Sequence, residues 1–114
     1  MRYLTLVWLL YAANAFPACT VGAQGQTSLT ASWTASATAG VTYNLYAGTA
    51  SGAETKVQSG ILGTTATYTG MVAGTTYYFF VTAQDVAGES VASNEACFQA
   101  VAPLPAAPTN LTVK

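Results

Sequence analysis

Between Gly70 and Asp85 the chain reads GMVAGTTYYFFVTAQD, a turn signal joined to an alternating run. Gly74 supplies the turn. From Tyr77 onward, Tyr77, Phe79, Val81 and Ala83 fall on one face of an extended chain and Tyr78, Phe80 and Thr82 on the other, the period of two that a pleated strand imposes. Both faces are apolar or aromatic at their centre. Such a strand belongs in the middle of a sheet.

The same period recurs on either side. Thr27 to Thr34 alternates Leu29, Ala31 and Trp33 against Ser28, Thr30 and Ser32, and Val41 to Ala47 turns Tyr43 and Leu45 inward and Asn44 and Tyr46 outward. Gly48 to Gly60 holds Glu54 and Lys56 around Val57, a polar strand of the kind that protects a sheet edge. Thr64 to Thr69 sets Ala66 and Tyr68 against threonines, with Tyr68 and Met71 expected in the core. After a loop at Gln84 to Ser90, a last strand is expected from about Ser93 to Val101. Short strands at regular spacing predict an all-β sandwich, and 114 residues suffice for one two-layer core.

Met71, Gly74 and Tyr77 take the places of the Leu, Gly and Tyr in the tyrosine corner of immunoglobulin-like sandwiches. Over roughly residues 20–101 the chain resembles a fibronectin type III domain. The resemblance implies an immunoglobulin-like two-sheet sandwich of about seven strands, with the Tyr77 hydroxyl bonded to backbone a few residues upstream. It gives Trp33 the place of the second-strand tryptophan, a core anchor rather than a stacking surface. Ser93-Asn94-Glu95 resembles the run that opens the last strand in bacterial relatives.

Outside that span, Arg2, the apolar run Leu4 to Ala13 and the small-residue site Ala13-Asn14-Ala15 read as a secretory signal over residues 1–15. The run is short for a membrane span, and Phe16-Pro17-Ala18 lacks the aliphatic residue that precedes a lipidated cysteine. The expected location is secreted, extracellular or at the cell surface, with no membrane partner after cleavage. Two cysteines in an exported chain without histidine are expected to pair. A Cys19–Cys97 bridge would close nearly the whole domain (16–101) and contribute about 4 kcal/mol in the chain-entropy account. Residues 102–108, with Pro103, Pro105 and Pro108, read as a semi-rigid linker. Residues 109–114, TNLTVK, resemble the opening strand of such a module better than anything between Phe16 and Gln26. They are either a donor strand, with Leu111 and Val113 as its self-association contacts, or a frayed tail.

The charge pattern excludes more than it suggests. Only 6% of residues are charged, with a net charge of −1, so nucleic acid and anionic lipid are not expected partners. Asp85, Glu54, Glu89 and Glu95 are the only carboxylate side chains and there is no histidine; no catalytic residue, metal site or cofactor is expected. The loop QDVAGES has no Arg-Gly-Asp, so integrin binding has no residues to carry it. Outward Tyr46, Tyr78 and Phe80, on the third, sixth and seventh strands, form a candidate binding face; sugar stacking, protein contact and burial under the leader or tail stay open. Two functions follow. One is a non-catalytic exported subunit that self-associates into a filament or surface layer, as a homo-oligomer or polymer. The other is a monovalent extracellular binding module for polysaccharide or a cell-surface protein. An enzyme is a distant third.

Overall fold

The computed structural model describes residues 18–114, so the signal peptide expected over 1–15 lies outside the described residues. Eight strands follow in order: β1 (Thr20–Gln24), β2 (Ser28–Ser32), β3 (Thr42–Gly48), β4 (Thr55–Ile61), β5 (Thr65–Thr69), β6 (Thr76–Asp85), β7 (Gly88–Glu89) and β8 (Ala96–Val101). The larger sheet runs β1-β8-β6-β3-β4, with β7 added to β6; β2 and β5 form a second sheet. The fold is an all-β two-sheet sandwich, and the aromatic run of β6 lies in the interior of the larger sheet, between β8 and β3.

Inward residues of both sheets meet as the alternation requires. Leu45, Ala47, Tyr77, Phe79 and Ala100 from the larger sheet bury against Ala66 and Met71, with Leu29, Ala31, Trp33 and Tyr68 packed around them. Trp33 lies edge-on to Tyr43 with ring centroids 5.5 Å apart, and Tyr68 meets Phe79 edge-on at 5.1 Å, the arrangement that ring quadrupoles favour. The Tyr77 hydroxyl accepts the Val72 N–H at 2.7 Å, five residues upstream. Gly74 N–H donates to the Ala100 carbonyl at 2.8 Å, so the turn before β6 is held to β8.

Two expectations need correction. The first strand is Thr20–Gln24, which pairs in parallel with β8; residues 109–114 carry no strand, and Leu111 and Val113 are exposed. The β8 edge is therefore filled by the chain's own β1. Gly22 hides that strand in the sequence, since glycine weakens a strand pattern. It is needed there because a Cβ would stand 2.5 Å from Phe98 Cζ. The last strand also begins later than Ser93. Over Ser90 to Ser93 two hydroxyls replace part of the ladder: Ser90 Oγ accepts Ala83 N–H and Ser93 Oγ accepts Val81 N–H, each at 2.9 Å. Serines competing for backbone in this way break regular pairing.

Candidate functional site

The outer face of the larger sheet collects most of the side-chain chemistry outside the core. Register places Tyr46 opposite Phe80 on β6 and opposite Lys56 on β4, and Tyr78 between Gly48 on β3 and Cys97 on β8. The period of two puts all of these on one side. Tyr46 and Phe80 stack with centroids 4.5 Å apart and planes 13° from parallel. Lys56 Nζ stands 5.8 Å from the centroid of the Tyr46 ring, within cation–π range. One side of Phe80 therefore packs on Tyr46, while Tyr46 has both a stacked neighbour and a cation. Tyr78 and Phe80 are partly exposed.

Glu89 ties this face together. It sits on the two-residue strand β7, which folds back on β6 with Gln84 opposite Glu89. Its carboxylate accepts from the Tyr46 hydroxyl at 2.5 Å, from the Thr82 hydroxyl, and from Asn44 Nδ2 at 3.2 Å. Lys56 Nζ approaches it to 3.8 Å. These bonds, the Thr82 and Tyr46 hydroxyls foremost, hold the Glu89 carboxyl below the usual carboxylate range. The Tyr46 phenol is pushed up in turn, mainly because its proton is engaged by Glu89. Asn44, expected to face solvent, is only 1% exposed: β7 covers it, and its amide also donates to Thr82 and Gln84. Forty-five residues separate Asn44 from Glu89. Nothing in local pattern joins them, which is why the sequence did not reveal this cluster.

Two further carboxylates, Glu54 and Glu95, lie beyond this cluster. Ser51 Oγ donates to Glu95 Oε1 at 2.7 Å and Gly52 N–H to Glu95 Oε2 at 3.2 Å, joining the β3–β4 turn to the residue before β8. Burial foremost, and then the neighbouring Glu95, raise the Glu54 carboxyl above its ordinary value, and its buried Oε2 has no hydrogen-bond partner. Glu95 is held below its own, first by Glu54 and then by the Ser51 hydroxyl. Ser93-Asn94-Glu95 reads in sequence as the opening of a strand, and this use of Glu95 goes unnoticed there.

Cys19 and Cys97 form a disulfide with Cα atoms 4.7 Å apart, 78 residues distant in the chain. Register with Tyr78 sets Cys97 at the border of the outer face. Leu111 and Val113 lie in the exposed tail. Asp85 Oδ1 accepts its own turn's Ala87 N–H at 2.8 Å, while Glu89 points to Tyr46, so the two acids on this loop do not converge. Among the described residues no three Asp, Glu, His or Cys side chains gather as metal ligands, and no helix is long and apolar enough to cross a membrane.

The family model described as Fibronectin type III domain matches residues 18–99. Chitinase A1 of Niallia circulans is 48% identical over 75 residues, a match covering 63% of this chain and 10% of that protein. The chain thus spans about a tenth of the length of that curated relative. A crystal structure of an Fn3-like protein from Clostridium thermocellum superposes with a TM-score of 0.61 at 29% identity, covering 80% of this chain and 91% of that one. The fn3 domain of the human collagen alpha-1(XX) chain, solved in solution, gives 0.58 at 30% identity, covering 76% and 83%.

Proposed function

This chain belongs to the fibronectin type III domain family, and from that premise we propose that it is an extracellular, non-catalytic contact module that lays the outer face of its larger sheet on a polysaccharide. The observation that carries this reading is the fixed aromatic step on that face. Tyr46 is anchored by Glu89, Lys56 and Phe80, leaving the outer side of Phe80 and the Tyr78 ring for a ligand. A sugar ring stacks on such a surface through its C–H face, and a step already held in place loses little entropy on binding. The similarity to a segment of a chitinase supports a polymer of that kind. The disulfide supports export to an oxidising compartment.

Depletion of the protein from solution by insoluble chitin, with cellulose alongside, tests the reading. Retention is expected on at least one polymer, with a loss of about tenfold for Phe80→Ala, the size of one base–aromatic stacking contact taken as a guide. Equal retention of the parent and of a Phe80→Ala, Tyr78→Ala double variant would overturn it.

A second reading, self-association into a filament or surface layer, is favoured by one observation. Leu111 and Val113, alternate residues of the tail, are 90% and 88% exposed. With β8 already paired to β1, the acceptor would be the outer edge of β1 or of β4, or an edge of the two-stranded sheet. Size-exclusion chromatography over a concentration range separates the readings: oligomers that vanish when residues 103–114 are deleted support the tail, and a monomer throughout excludes it.

A further inference from the structure

Strand β2 pairs on one side only. The Thr27 carbonyl accepts Met71 N–H and Trp33 N–H donates to the Thr64 carbonyl, each at 3.0 Å, so both ends of the strand bond toward β5. Alternation along an antiparallel ladder then turns the backbone groups of Thr30 and Ser32 the other way. There the sheet ends, because β2 and β5 are its two strands. The Ser28 carbonyl on that edge accepts from the Gln26 amide at 2.7 Å. Thr30 and Ser32 are exposed, and no described residue bonds to their backbone on that side.

A cleft of about 410 Å³ lies beside this edge. Its lining comes from β2, β3, β6 and the run before β8 and takes nothing from β5, so it opens on the unpaired side of β2. Trp33, Leu45, Phe79 and Val81 make it apolar, and Ser93 and Asn94 complete it. Trp33 also carries a buried Nε1 with no hydrogen-bond partner, a costly state for a donor. An extended peptide answers all three features. It offers N–H and carbonyl groups to Thr30 and Ser32, a side chain at every second position to the cleft, and a carbonyl to the indole.

We propose that the outer edge of β2, with this cleft, accepts residues 109–114 of a second copy as an added strand. The inference rests on the self-association reading for its donor. In TNLTVK, Leu111 and Val113 fall on one face, the spacing that the cleft side of an added strand needs. Residues 102–114 are exposed throughout, and Pro103, Pro105 and Pro108 hold the first seven extended over roughly 20 Å, which carries the tail away from its own β2. The other open edges fit less well. Lys56 on β4 discourages pairing there, the Thr67 carbonyl of β5 accepts from the Gln58 amide at 2.6 Å, and β1 contributes no residue to the cleft. Strand β2 reads SLTAS, with neither charge nor proline to protect its edge. Donor and acceptor are different surfaces, so copies join head to tail.

Amide hydrogen exchange at Thr30 and Ser32 reads the edge, and Trp33 emission reads the cleft; in protein lacking residues 1–15, Trp33 is the remaining tryptophan. A peptide of residues 103–114 is added to protein from which that tail has been deleted. Exchange at both amides should slow about tenfold once the peptide stands at roughly ten times its Kd, with a shift in Trp33 emission. A peptide carrying Leu111→Asp and Val113→Asp should do neither. Unaltered exchange at about 1 mM parent peptide, or equal slowing by the substituted one, would overturn the proposal. If the intact protein forms oligomers that need the tail, yet Thr30 and Ser32 exchange in them as fast as in the monomer, the site is wrong and the self-association reading stands. If the peptide protects both amides while the intact protein stays monomeric at every concentration, β2 stands as a strand acceptor and the self-association reading falls.

Discussion

A single hydroxyl fixes how the chain enters β6. The Tyr77 ring is buried, and its oxygen accepts the Val72 N–H. Tyr77→Phe keeps the packing and leaves that donor without its partner, so we expect a loss of about 1–3 kcal/mol in a denaturant titration. Stability equal to the parent's would show that water replaces the phenol at no cost. This contact is legible in sequence because Met71, Gly74 and Tyr77 lie within seven residues and form a local motif. Asn44 and Glu89 are not legible for the opposite reason. Each reads as an ordinary polar residue on a solvent face, and only a two-residue strand folding back on β6 brings them together. Glu89, held below its ordinary value, contributes stability above the carboxylate range and loses it as pH falls through its folded value.

Alternation located the long strands well because their inward sets, Tyr43 with Leu45 and Tyr77 with Phe79, must fill a core. It failed where backbone closeness or side-chain substitution replaced alternation. Gly22 conceals β1, and Ser90 and Ser93 mimic a strand while supplying hydroxyls in place of carbonyls. The β3–β4 turn belongs with these cases: from the sequence it is a polar edge connection, and only its bonds to Glu95 and the approach of Ala53 to Gly48 reveal that it is tied to the start of β8. Gly48→Ala sets a methyl group against the Ala53 carbonyl, with backbone rather than a flexible side chain as the obstacle. The turn is expected to shift, at about 1–3 kcal/mol in stability, read in a denaturant titration. Stability equal to the parent's would show that the turn absorbs the methyl group in place.

For the molecule as a whole, the sandwich and its family were readable from residues that make the core. The use of the outer face was readable only as a set of aromatic residues. The order in which Lys56, Tyr46 and Phe80 stack, and the carboxylate pair beyond them, depend on strand neighbours that no spacing encodes. The Cys19–Cys97 disulfide also governs how the domain would behave under load. Where tension enters at Cys19 and leaves beyond Val101, it passes through the sulfur bridge and never reaches the residues between the two cysteines, which stand 78 apart in the chain. Of the strands, only β8 beyond Cys97 lies on the path of the force, and its ladder with β1 keeps it seated on the sheet. Held between two neighbours in an optical trap, the oxidised domain should extend hardly at all. A reductant should release roughly 260 Å of chain in one step, at about 3.4 Å for each enclosed residue, and a release of that length without reductant would mean that the bridge does not carry the force. A thiol donor in the surroundings would then act as a length switch, turning a stiff strut into a slack tether and dismantling the face of Tyr46, Tyr78 and Phe80 with it, since all three lie between the two cysteines.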